Sequence, residues 1–174
     1  KCFDIMKTKN LTNHPYFAIT LGNLGLVHNL KGEYELALDH SLNAAEIIIS
    51  IMGEKSLELA EAYLNIGRLY SILGDKDQAL EFLENSLQMV ISLQGEEHPL
   101  VPILYQDIAS IYESKKDFEK AYELSKKAIS VNSKIYDSEN NFVAAAYNSL
   151  GRVLIHKNQL KEAREYLTKA ENII

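Results

Sequence analysis

Shifted by 42 residues, the chain falls on itself without an insertion or a deletion. Gly25, Gly67, Ala109 and Gly151 coincide, as do Ala37, Ala79, Ala121 and Ala163, and then Ala44, Ser86, Ala128 and Ala170. A period of this length is the mark of a repeat protein, in which each copy is one small supersecondary unit and the copies stack. The clearest copy runs from Ser56 to Glu97. In it Leu59, Tyr63, Ile66, Tyr70 and Leu73 step by four and three and form one helical stripe. Gly74 and Asp75 interrupt that stripe. A second follows at Ala79, Leu80, Leu83, Ser86, Leu87, Val90 and Leu93 and stops at Gly95. The unit is therefore a pair of antiparallel helices, called A and B below.

A glycine inside a helix costs roughly 0.5 to 1 kcal/mol relative to alanine. Holding the same slot small in all four copies therefore needs a reason, and a close crossing of A on B supplies one. Gly32, Gly74 and Asn158 follow the A helices, where a left-handed residue ends a helix, and Lys116 departs from that chemistry. Asp75 with Gln78 resembles a capping box opening helix B. His14 and His98 precede prolines at a junction where they help cap helix A, and Pro15 and Pro99 suit its first turn.

The small residues at Gly67, Ala79 and Ser86, with Tyr63 and Tyr70, resemble the tetratricopeptide repeat, whose usual period is about 34 residues. At 42 residues, with the G-x-x-H-P junction from Gly95 to Pro99 and the L-x-N-L-G run from Leu21 to Gly25, the chain is most similar to the long repeats of kinesin light chains. The resemblance implies an all-α, right-handed superhelical solenoid of antiparallel helix pairs. It also implies a non-catalytic scaffold for protein binding. The expected organisation is a single solenoid over residues 1–174: the end of a preceding repeat and a junction in 1–13, with Cys2 in a small slot, then repeats at 14–55, 56–97, 98–139 and an incomplete 140–174. Leu167, Ile173 and Ile174 are left for a neighbour to cover.

Composition narrows the partner. With 47% hydrophobic residues the chain can bury a core. Its net charge of −6 argues against nucleic acid or an anionic membrane as partner. Cys2 is the lone cysteine, which fits a reducing, cytoplasmic compartment, and no disulfide or cysteine metal site can be built on it. No apolar run is long enough to span a bilayer. The five histidines show no metal-binding spacing. Gly22 and Gly25 lie within a helix with no strand before them, so they are no phosphate loop. Neither a cofactor, a metal nor a catalytic set is expected.

In such a stack the A helices line a concave groove. The helix A face away from the stripe, which in the clearest copy carries Glu61, Leu64, Asn65, Arg68, Ser71 and Ile72, holds the expected peptide-binding residues Asn23, Leu26, Asn65, Arg68, Gln106, Asp107, Asn148 and Arg152. An asparagine offers both a donor and an acceptor, the complement of a peptide bond. Arg68 and Arg152 fit either a ligand carboxylate, by a forked pair of bonds, or an internal partner among Glu61, Asp107 and Glu113. Tyr63, Tyr105 and Tyr147, repeating at 42, are expected in the core. Two other roles stay open: an architectural array that self-associates end to end, and a sensor domain of a larger signalling protein.

Overall fold

A computed structural model describes residues 14–137 and 140–173. The expected preceding repeat in 1–13, with Cys2, lies outside the described residues, as does Ile174. The described residues form eight helices: α1 (Pro15–Leu30), α2 (Tyr34–Met52), α3 (Leu57–Leu73), α4 (Lys76–Gln94), α5 (Leu100–Ser114), α6 (Phe118–Ile135), α7 (Asn141–His156) and α8 (Leu160–Glu171). The odd-numbered helices are the A helices and the even-numbered ones the B helices. The chain divides into two compact units, one reaching Met89 and the other beginning at Val90.

Local chemistry sets the helix ends. His14 Nδ1 accepts from the Tyr16 N–H, and His98 Nδ1 from the Leu100 N–H, both at 3.3 Å. Ser56 and Asn140 cap α3 and α7 through Leu59 N–H and Phe142 N–H. Asp75 accepts from the Gln78 N–H at 3.1 Å, but the Gln78 amide turns to Glu81, so only half of the expected capping box forms. Between A and B the backbone takes the left-handed form at Gly32, Gly74, Lys116 and Asn158 alike. Lys116 thus keeps the turn without the chemistry that favours it, at φ 62°.

Every residue of the three small slots is buried. A Cβ on Gly67 would stand 2.7 Å from Leu83 Cγ and 3.1 Å from the Ala79 carbonyl oxygen. One on Gly151 would stand 2.7 Å from Leu167. On Gly25 it would meet Ser41 Oγ at 2.9 Å. The crossing of A on B is therefore closer than a side chain allows. Ser86 makes the same approach polar, its hydroxyl donating to the Ala60 carbonyl at 2.6 Å.

In unit 1, Ala45, Leu59 and Ile66 form a core flanked by Leu38, Leu42, Ile48, Tyr63 and Phe82. In unit 2, Leu150, Leu154 and Ala163 are flanked by Tyr122, Ile129 and Tyr166. Two expectations about faces need correction. Leu64, assigned to the ligand side, is buried, because the buried arc also takes in Ala60 and Leu69 and so is wider than one stripe, whereas Leu73, assigned to the stripe, is exposed at the last residue of α3. Tyr63, Tyr105 and Tyr147 are half-buried rather than sealed in the core. Tyr63 sets its ring edge-on to Phe82 at 5.2 Å.

Candidate functional site

In unit 1 the two A helices part around a cleft of about 560 Å³. Asn23 and Leu26 of α1 stand on one wall and Asn65 and Arg68 of α3 on the other, so four of the eight expected residues border one space. All four are exposed. The B helix α2 supplies the floor through Ile48, Ile51 and Met52. The cleft exists because its walls are lined by small residues: Ala62 on α3, and Gly22 on α1, where an added Cβ would meet nothing within 4 Å. Its two ends differ in charge. Glu58 and Glu61 border it near the start of α3, and Arg68 with Asn29 borders it near the helix ends. The apolar floor and Gly22 were not singled out from sequence as site residues. Their signal was present only in the pairing of two helices that no single stripe reveals.

Unit 2 carries the corresponding slots 84 residues on, and there they are filled. α5 and α7 are in direct contact. Gln106 occupies the slot of Gly22, and Tyr136 and Phe142 those of Met52 and Glu58. The Tyr136 and Phe142 rings stack at 5.2 Å, and the buried Asn132 amide donates to the Phe142 carbonyl at 3.1 Å. At the other end Arg152 Nε–H donates to both Glu113 carboxylate oxygens at 3.0 Å. His156 Nε2 lies 3.2 Å from the same carboxylate, with its ring stacked on Phe118 at 5.1 Å. Of the two expectations for Arg152, the internal partner is the one observed. Gln106 and Asp107 are half-buried on α5, while Asn148 and Arg152 are exposed on α7.

Tyr105, at the 42-residue slot of Tyr63, is held above a tyrosine's usual pKa by burial, with the Glu96 carboxylate adding to the effect. Lys127 lies 5.7 Å from its ring centre. The same pairing recurs between Lys169 and Tyr147 at 5.8 Å. Among the described residues no group of three or more His, Cys, Asp or Glu side chains is placed to hold a metal ion, and no helix is long and apolar enough to cross a membrane.

Residues 16–92, 73–131 and 100–174 match the family model of the tetratricopeptide repeat. No curated protein sequence matches the chain. Among solved structures, BtubC (BKLC) from P. vanneervenii superposes with a TM-score of 0.84 at 18% identity, over 90% of this chain and 63% of that one. The chain thus spans less than two thirds of that protein. A putative kinesin light chain from Podosopora anserina with nearly identical TPR-like repeats gives a TM-score of 0.81 at 20% identity, covering 98% and 81% of the two chains. A Rap protein complexed with competence and sporulation factor gives 0.75 at 20% identity, covering 91% and 42%. The fold is accordingly an all-α solenoid of helix pairs, as the small slots and the A–B crossings require. With its family model matched along nearly all of its length, the chain belongs to the tetratricopeptide repeat family.

Proposed function

We propose that the chain is a non-catalytic protein-interaction scaffold that holds a peptide segment of a partner against its A helices. The observation that carries this reading is the cleft of unit 1, whose volume of about 560 Å³ combines an apolar floor with amide side chains on facing walls. Such a pairing of apolar surface with a few convergent polar groups is the usual make-up of a ligand site. Asn23 and Asn65 hydrogen-bond the ligand backbone, and Leu26 packs on an apolar side chain. In unit 2, Gln106, Asp107 and Asn148 offer the corresponding polar groups on α5 and α7, while Arg152 is committed to Glu113. Each of the repeats at 14–55, 56–97, 98–139 and 140–174 contributes one A helix. The Rap structure, a fold relative, holds competence and sporulation factor, which accords with a binding role for this architecture.

The test is a peptide display selection against the chain, run beside an Asn65→Ala/Arg68→Glu variant. A shared motif that is enriched on the parent and lost on the variant supports the reading; enrichment that survives the double substitution refutes the site.

Val27 favours a second reading, packing of α1 against a further helix of another array. It is 46% exposed, whereas its counterparts Leu69, Ile111 and Val153 are 3%, 2% and 0% exposed. Association that depends on dilution and disappears in Val27→Lys would establish this contact.

A further inference from the structure

Two slots of the repeat break its pattern where the cleft of unit 1 opens. Repeats one, three and four hold Tyr16 and Ile19, Leu100 and Ile103, and Phe142 and Ala145 there, whereas repeat two holds Glu58 and Glu61. Both glutamates border the cleft between α1 and α3. We propose that this cleft takes a partner segment in which one lysine or arginine is flanked by apolar side chains, with its cation at Glu58 and Glu61. This rests on the scaffold reading above and specifies its partner.

The fold gives these carboxylates little reason to be where they are. Glu58 lies in the first turn of α3, where the helix dipole offsets part of its charge. Glu61 lies beyond that turn, and no basic residue stands three or four places from it. Instead Glu58 is three places away, and like charges at that spacing repel. Both residues are exposed, and among the described residues neither has a hydrogen-bond or ion-pair partner. A cation brought by a ligand relieves the repulsion and gives both carboxylates a donor.

The wider field has the same sign. Residues 14–89, the described part of unit 1, carry eleven acidic side chains against four basic ones, and residues 90–174 carry twelve against eleven. The unit that holds the cleft is thus the one that draws a cationic segment towards it. Among the described residues Arg68 is the one basic side chain bordering the cleft. It already has an interaction within the chain, so its end asks no charge of the ligand.

The apolar part of the ligand follows from the other walls. Ile19 and Leu26 are each 55% exposed and Met52 is 44% exposed, and all three line the cleft together with Ile48. Large apolar side chains left open on a concave surface mark a binding site. A lysine or arginine suits this rim, because its stem packs on apolar surface while its head stays with the carboxylates. Unit 2 has the opposite arrangement. There the slots of Met52 and Glu58 hold the stacked Tyr136 and Phe142, and that of Glu61 holds Ala145. The carboxylates occur where this end is open and are replaced where it is sealed.

Three fluorescent probes test this, each acetylated and amidated: Gly-Leu-Ile-Lys-Ile-Leu-Gly and the same sequence with Gln or Glu in place of Lys. Their symmetric order makes the result independent of chain direction. Binding to the full chain is read by anisotropy at low salt. The lysine probe is expected to bind about fivefold more tightly than the glutamine probe, and the glutamate probe most weakly. Glu58→Gln/Glu61→Gln should remove the difference between the lysine and glutamine probes while circular dichroism stays unchanged. Glu35→Gln/Glu46→Gln, which neutralises two exposed carboxylates of α2 that do not border the cleft, should preserve it. The proposal is overturned by equal affinity for the three probes, by a lysine preference that survives Glu58→Gln/Glu61→Gln, or by one lost equally in the α2 variant. If none of the probes binds while peptides from the display selection do, and Gly22→Gln abolishes that binding, the cation requirement is wrong and the scaffold reading stands. If the selection also yields nothing, both fall.

Discussion

Unit 1 and unit 2 are built on the same crossings and differ in what lies between their A helices. In unit 1 the space is a cleft; in unit 2 an aromatic stack fills one end and a Glu113, Arg152 and His156 cluster fills the other. The difference arises from a few slots, with Gln106 for Gly22, Tyr136 for Met52 and Glu113 for Asn29. The A–B contact admits only small residues, so it cannot vary without cost. The A-to-A face carries no such constraint. It can be spent on internal pairing or left for a partner.

The strongest test of this division compares glycines. Gly67→Ala and Gly151→Ala force a Cβ against Leu83 and Leu167, and each should lower stability by about 1–3 kcal/mol in urea unfolding. Gly22→Ala, which meets nothing, should raise it by roughly 0.5–1 kcal/mol. Equal losses at Gly22 and Gly67 would break the distinction between frame and face. Next in size is the aromatic seal of unit 2. Tyr136→Ala should cost about 1 kcal/mol, since the Phe142 ring it stacks on stays partly in water.

A smaller effect is expected of Glu113→Asn, which gives unit 2 the residue of unit 1. Because Arg152 is more than half exposed, solvent screens the pair, and the loss should stay below about 1 kcal/mol and shrink in high salt. A loss that salt leaves unchanged would mean that the carboxylate acts through packing instead. The smallest effect concerns Tyr105. Its raised pKa favours the neutral phenol in the folded state, so its contribution is fully present below the unfolded value of about 10 and is lost as pH rises through the folded one. The gap in alkaline stability between the parent and Tyr105→Phe should therefore appear only above about pH 10.

How far the sequence could be read follows the same division. The helix pairs, their turns and their crossings were legible, because each is fixed by residues close in the chain or repeated in register. Gly67, Ala79 and Ser86 announce a contact whatever surrounds them. The state of the A-to-A face was not legible. Placing Arg152 on a helix face does not say whether Glu113, 39 residues earlier, reaches it. Likewise, no stripe shows that Tyr136 and Phe142 meet across a junction. Leu64 was assigned to the wrong side because a single stripe understates how much of each A helix is covered by its neighbours, and Leu73 because a stripe does not show that its last member stands at the exposed end of α3. Lys116 shows the converse: the turn was legible from three copies, and the fourth adopts it against its own preference.

Gly22 has one more consequence. Since its missing side chain borders open space and contributes nothing to the core, the aperture of the cleft is a one-residue variable. Alanine, serine or leucine at that single position would narrow the opening in steps while the frame beneath stays untouched. A protein with such a dial can drift between partners through viable intermediates, and the same position is where a designer would begin to retune it.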